Sequence, residues 1–144
     1  MKPKQEMKYW VIVASKDHVK KGLSEGFAQT CHGKVAPLKR MRKGDFIIYY
    51  SGKQTMGMPD KCQEFTAIGQ VENEETYQFQ MTADFCPSRR DVTFFEHKDT
   101  SILPLIHDLN FIQNKQNWGF PFRFGFFEIN KHDFDLISTQ MLQK

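Results

Sequence analysis

Long apolar runs, paired cysteines and the short signatures of common catalytic sites are all missing from this 144-residue sequence. No apolar stretch approaches the roughly 20 residues that a membrane span needs. The longest, Trp10 to Ala14, has the length of a strand. The start, Met1-Lys2-Pro3-Lys4-Gln5-Glu6, lacks the apolar centre of a signal peptide, so the chain is expected in the cytoplasm. The three cysteines, Cys31, Cys62 and Cys86, are odd in number and form no CxxC pair, which excludes a disulfide framework. Zinc spacing is also missing, and no metal or cofactor is expected. GxSxG, GxGxxG, GxxxxGK[ST] and HExxH do not occur, and Gly33-Lys34 lacks the earlier glycine of a phosphate-binding loop. Cys31-His32 is a poor nucleophile and base, because adjacent side chains on an extended chain point apart. The five histidines, His18, His32, His97, His107 and His132, are scattered. Glu72, Glu74 and Glu75 cluster beside Asn73 as a solvated strand end and not as an acid/base pair. These absences argue against an enzyme.

What remains is a chain of single-domain size, 1–144, with residues 1–7 a disordered or loosely attached amino terminus. At 17.0 kDa it can bury roughly two-thirds of its unfolded surface without staples. Fourteen phenylalanines dominate its aromatic content. The net charge of +3 is unevenly spread: residues 1–45 carry +7 and the remainder −4. A basic first third points to one positive face, and such faces often meet phosphate.

Tyr9 to Ala14 reads as a buried strand, rich in β-branched and aromatic residues. Ser15 or Asp17 caps a short helix through about Ser24, weakened by Gly22 and Gly26. Residues 26–34 read as a structured loop or short strand. Ala36 to Met41 forms a short helix with Pro37 in its first turn, Leu38 and Met41 inward and Lys39, Arg40, Arg42 and Lys43 outward. Strands follow at Phe46 to Tyr50, Glu64 to Val71, Tyr77 to Met81 and Arg90 to Glu96, with a loop over 51–62 and Gly69 a bulge or close-approach point. Ile102 to Leu109 is a helical stretch containing Pro104, and Asn130 caps a terminal helix from Lys131 to Gln140. Five or six short strands with helices at the ends predict an α+β fold, mainly β, arranged as a curved sheet or small open barrel with short flanking helices.

The positive functional signal is aromatic residues beside small, polar and basic ones. Trp10, Phe27 and Trp118 stand near Ser15, Gln29 and Lys34. Aromatic faces stack on bases, amides and hydroxyls read base edges, and lysines or arginines hold phosphates. Core packing competes with this for several of them. Trp10 lies inside a strand. Phe120, Phe122, Phe124 and Phe126 alternate as the inward face of a strand does. Trp118, between Asn117 and Gly119, is placed on a loop over a cavity. For Lys39, Arg40, Arg42 and Lys43, a solvated helix face competes evenly with phosphate contact.

The stretches YWVIVASKDHV, GFAQTCHGKVAPLKRMRKGDFIIYYS, FTAIGQV, PSRRDV and NWGFPFRFGFFEI together resemble the EVE domain, a member of the PUA-like superfold related in fold to YTH domains. The resemblance spans roughly residues 8–142 and implies a PUA-like open β-barrel. It also implies a non-catalytic domain that binds a modified base, such as methylated or hydroxymethylated cytosine, in DNA or RNA. By the same resemblance the ligand pocket comprises Ser15, Phe27, Ala28, Gln29, Tyr50, Ser51 and Trp118, with His32, Lys34 and Arg123 on its rim. His18 is a weaker addition. With such a pocket the basic first third would hold the backbone, Lys39, Arg40, Arg42 and Lys43 being the phosphate-contact candidates. A base must be unpaired or flipped to reach such a pocket. A pocket that admits a base also admits a free nucleoside, so a small-molecule protein, or an enzyme on a nucleoside-like compound, is the alternative. An accessory protein with a vestigial pocket is a third. The expected partner is nucleic acid and no membrane, and the expected state is a monomer.

Overall fold

The structure, a computed structural model, describes residues 7–28, 35–78 and 88–143. Among these, seven strands form one open sheet: β1 (Tyr9–Val13), β2 (Phe27–Ala28), β3 (Phe46–Lys53), β4 (Lys61–Gln78), β5 (Ser88–Phe94), β6 (Thr100–Ser101) and β7 (Phe126–Ile129). The order across the sheet is β2-β5-β4-β3-β1-β7, with β6 paired to β4. The mainly-β α+β class is as expected, although the sheet does not close into a barrel. Helices α1 (Lys16–Glu25), α2 (Val35–Arg40) and α3 (Lys131–Met141) accompany it, with 3-10 helices at Leu103–Asp108 and Phe120–Phe124.

One pairing departs from the antiparallel rule and organises the rest. β1 lies parallel to β3, with Tyr9 opposite Phe46 and Val13 opposite Tyr50. Parallel strands need a long crossover, and α1, β2 and α2 supply it. α1 starts at the carboxyl end of β1, and its Gly26 C-cap adopts the left-handed conformation that glycine enters without a steric penalty (φ 76°).

The sheet buries both faces. On one, Val11, Ile48, Tyr50, Phe65 and Ile68 pack with Leu105, Phe122, Phe134 and Ile137 from the 3-10 helices and α3. On the other, Trp10, Ile12, Ile47, Tyr49 and Ala67 pack with Val19 of α1 and Leu38 of α2. Two-sided burial explains why β1 and β3 read as continuous apolar runs. Gly69 is a close-approach point: an added Cβ would lie 2.6 Å from the Thr93 carbonyl oxygen.

Three expectations are corrected. Phe120–Phe124 is a 3-10 helix, not a strand, so Phe120 and Phe124 are exposed while Phe122 and Phe126 are buried. Pro121 has no N–H for a ladder and suits a first helical turn. Tyr77 and Gln78 belong to β4, which runs unbroken from Lys61; Glu72 and Glu74 therefore lie within a strand, at a register shift between Val71 and Thr76. The expected loop over 51–62 is shorter, because β3 continues to Lys53 and β4 begins at Lys61. Residues 1–6 of the expected loose amino terminus, and 79–81 of the expected strand, lie outside the described residues.

Candidate functional site

Two ends of the sheet carry the residues singled out from the sequence. At the carboxyl end of the parallel pair, Ser15 is the N-cap of α1, and its hydroxyl donates to the Asp17 carboxylate instead of capping the helix. That bond holds the Asp17 carboxyl below its ordinary value. The Val13 N–H donates to the Gly125 carbonyl, and the Ala14 N–H to that of Tyr50. These two bonds bring the second 3-10 helix and the end of β3 to the same edge. Tyr50 stacks on Phe122 with ring centroids 3.8 Å apart, and half-buried Trp118 meets Phe122 edge-on at 6.5 Å. Burial pushes the Tyr50 phenol well above its ordinary value, so it stays neutral. Arg123 is exposed, with its guanidinium 5.7 Å from the centre of the Phe120 ring. Ser51 follows Tyr50 on the opposite face of β3, and shares a buried 2.7 Å hydrogen bond with the Thr66 hydroxyl. Tyr50 and Trp118 thus come together on one face, Ser51 faces away from them, and Ser15 sits at the turn above both.

A charged network ties α1 to this end. Lys20 donates to the Thr66 carbonyl and to Asp99, both at 2.8 Å, and Lys16 bridges Asp99 at 3.0 Å and Glu64 at 3.6 Å. His97 directs Nδ1 at the Phe95 carbonyl and Nε2 at the Thr66 carbonyl and Asp99. Burial alone would raise the Asp99 carboxyl, but the bonds from Lys20 and Lys16 outweigh it and hold the group below its ordinary value. Cys62 donates to Glu64, and burial together with that carboxylate pushes its thiol up to about 11. A thiol so raised is a poor nucleophile at neutral pH. Among the described residues, no group of three or more His, Cys, Asp or Glu is placed to hold a metal ion.

The opposite end of the sheet carries Phe27 and Ala28, which pair with Asp91 and Arg90. Both are buried, and the Arg89 guanidinium lies 3.7 Å from the centre of the Phe27 ring. Arg90 is 1% exposed. It donates to the carbonyls of Leu38 (2.7 Å), Met41 (2.6 Å) and Asn73 (2.6 Å), which fixes the end of α2 against the sheet. Asp45, also buried, accepts from the Trp10 indole N–H at 2.9 Å and from the amides of Lys8 and Arg42. Lys39, Arg40, Arg42 and Lys43 are exposed, and Arg40 lies over the rings of Trp10 and Phe126 at 5.1 and 5.5 Å. A shallow cleft of about 440 Å³ opens here, lined by Lys43, Gly44, Gln70, Val71, Glu72 and Thr93. At about 3.3 Å per strand residue, Lys43 and Ser51 are up to about 26 Å apart. Gln29, His32 and Lys34 lie outside the described residues.

The profile of the EVE domain matches residues 8–140. The chain belongs to the EVE domain family. Its relatives agree over nearly full length. It is 50% identical over 129 residues to the UPF0310 protein in the gntR 5′ region of Bacillus licheniformis, covering 90% of this chain and 88% of that one. It is 41% identical over 133 residues to the UPF0310 protein YdcG of Bacillus subtilis, covering 92% of this chain and 91% of that one. The solved structure of Rpa0253 from Rhodopseudomonas palustris superposes with a TM-score of 0.57 over 96% of this chain and 97% of that one, at 14% identity. A hypothetical protein from Leishmania major superposes at 0.55 over 93% and 94%, at 10% identity. These two likenesses concern the fold alone.

Sequence reading missed several residues that shape this EVE domain. The alternation of phenylalanines places Phe120 and Phe124 in the core, and the proline between them is the signal against a strand. Arg89 and Arg90 sit in the PSRRDV stretch, but nothing local to it shows that one lies on Phe27 and the other clamps α2. Among the described residues, no helix is long and apolar enough to cross a membrane.

Proposed function

We propose that this EVE domain is a non-catalytic, monomeric nucleic-acid-binding module of the cytoplasm that holds a modified base, such as a methylated or hydroxymethylated cytosine. The observation that supports it most is the gathering of Ser15, Tyr50, Trp118 and Arg123 at the carboxyl end of β1 and β3. Half-buried Trp118 offers a stacking face, the α1 amino terminus offers polarised amides, and Arg123 offers a cation. Lys39, Arg40, Arg42 and Lys43 supply phosphate contacts toward the other end of the sheet. Small single-strand-binding barrels cover roughly 4–16 nucleotides, a range that fits the separation of the two regions. Ser51 supports the Tyr50 end of the sheet from beneath the surface, whereas Phe27 and Ala28 are buried at the opposite end and support the basic face; Gln29, His32 and Lys34 are proposed as further ligand contacts.

Fluorescence anisotropy with labelled single strands, with and without 5-methylcytosine or 5-hydroxymethylcytosine, tests this reading. A preference for a modified strand, with affinity falling as salt rises, is expected. One methyl group limits that preference to roughly 10–200-fold. Trp118→Ala should abolish the preference. Equal, feeble and salt-insensitive binding to every strand refutes the reading. Binding of a free nucleoside that survives charge reversal at Lys39 and Arg40, with no gain from a longer strand, favours a small-molecule protein instead.

A further inference from the structure

The second 3-10 helix, FPFRF, projects from the sheet end that carries Trp118, and its two outer rings have no core to enter. Phe120 is 48% and Phe124 67% exposed, with their rings edge to face at 5.7 Å. Beneath them Phe122 is buried on Tyr50, and Pro121 stiffens the first turn. The two phenyl groups are therefore held outward on an anchored tip. Arg123 lies beside the Phe120 ring and makes no ion pair among the described residues. Rigid exposed rings with an unpaired guanidinium carry the chemistry of a base-stacking platform.

A second copy of the chain is a poor occupant. An aromatic side chain offers about 150–250 Å², so these exposures present about 170–290 Å² per copy. Twice that area stays well below the roughly 1,200 Å² of a specific protein interface. A single unpaired base, by contrast, has about the area of the patch, and its phosphate complements Arg123.

We infer that Phe120 and Phe124 form a second nucleic-acid contact, a platform on which the unpaired nucleotide neighbouring the bound modified base stacks on the face of one ring and meets the edge of the other, while Arg123 meets its phosphate. This rests on the reading of function above and extends it: the ligand is a strand of at least two unpaired nucleotides, not an isolated base. The test compares the wild type with Phe120→Ala/Phe124→Ala and Phe120→Leu/Phe124→Leu. The probes are single-stranded DNA and RNA carrying 2-aminopurine next to 5-methylcytosine or 5-hydroxymethylcytosine, the corresponding free nucleosides, and phosphatidylcholine–phosphatidylglycerol vesicles. Wild-type protein should quench the 2-aminopurine. Both double variants should lose the quenching and weaken strand binding by roughly five- to 150-fold, as expected for loss of one stacked base. Nucleoside affinity should change far less than strand affinity, because Phe120 and Phe124 pair with each other and make no ring contact with Tyr50 or Trp118. Unchanged strand affinity in the double variants, against a wild type that prefers the modified strand, overturns the platform and leaves the reading of function standing. Vesicle binding by the wild type, retained by the leucine variant, reassigns the patch to a lipid surface and also overturns it. A wild type that binds no strand removes both.

Discussion

Replacing Arg90 with methionine tests how the basic segment is held. The side chain is fully buried and its guanidinium reaches the carbonyls of Leu38, Met41 and Asn73 at 2.6–2.7 Å. Leu38 lies in the last turn of α2, and Met41 directly follows the helix, where carbonyls lack helical partners. Glu74 lies 4.0 Å away but is mostly exposed, so the carbonyls, not a salt bridge, are the main partners. Methionine keeps the apolar stem and removes every donor. A buried carbonyl left without a partner costs about 1–3 kcal/mol; those of Leu38 and Met41 are buried and that of Asn73 partly so. The guanidinium's own desolvation penalty, which also lowers its pKa, disappears with it. The net loss should be about 3–5 kcal/mol, comparable to breaking a buried charged arrangement. Lysine keeps the charge but cannot fork between the carbonyls, and should lose roughly half as much. Urea unfolding at neutral pH measures both, and hydrogen exchange should show early opening of residues 38–45. An Arg90→Met protein within about 0.5 kcal/mol of wild type, the range of an uninvolved surface change, would refute the argument.

Other perturbations address the remaining contacts. Asp99 has a lowered pKa in the folded state, so it contributes stability above its unfolded value of about 3.9 that is lost as pH falls through the folded value. Asp99→Asn should therefore flatten the stability loss as pH falls below about 4, read from urea midpoints; an unchanged acid limb refutes the network. With Cys31 and Cys86 changed to serine, Cys62, raised to about 11, should react with iodoacetamide far more slowly at pH 8 than a free thiol does. Ordinary reactivity would place the thiol in a different environment. Gly69→Ala should destabilise by about 1–3 kcal/mol in the same unfolding assay, because its Cβ meets the Thr93 carbonyl and Val92 at 2.6 and 2.7 Å. A neutral result would mean that β4 and β5 can separate without penalty.

The elements legible in the sequence are those whose signal is local. β1 is a run of β-branched and aromatic residues, and α3 follows Asn130, whose side chain accepts from the Asp133 N–H at 2.9 Å. α1 was readable despite Gly22, whose reason is not local: an added Cβ would lie 3.0 Å from the Phe27 carbonyl. The FPFRF segment misled because alternating phenylalanines imitate a strand, and only the proline and the flanking glycines distinguish a tight helix. The charges at 72–75 imitated a strand end because a register shift interrupts pairing without ending β4. The site was legible as a set of residues but not as a place. Tyr50 and Ser51 are neighbours in sequence and face opposite sides of the sheet. Whether Trp118 joins one or the other depends on β7 docking beside β1, which no window of sequence contains.

The place of β1 between β3 and β7 also imposes an order on synthesis. Its parallel partner is complete at Lys53, but the strand that covers its other edge ends at Ile129, 76 residues later. At about 5–20 residues per second, that interval is about 4–15 s on the ribosome. Throughout it, Tyr-Trp-Val-Ile-Val presents an unpaired apolar edge, the kind of template on which chains add to one another. A nascent chain halted before Phe126 would carry that edge permanently, so incomplete translation products of this protein should be the ones that aggregate.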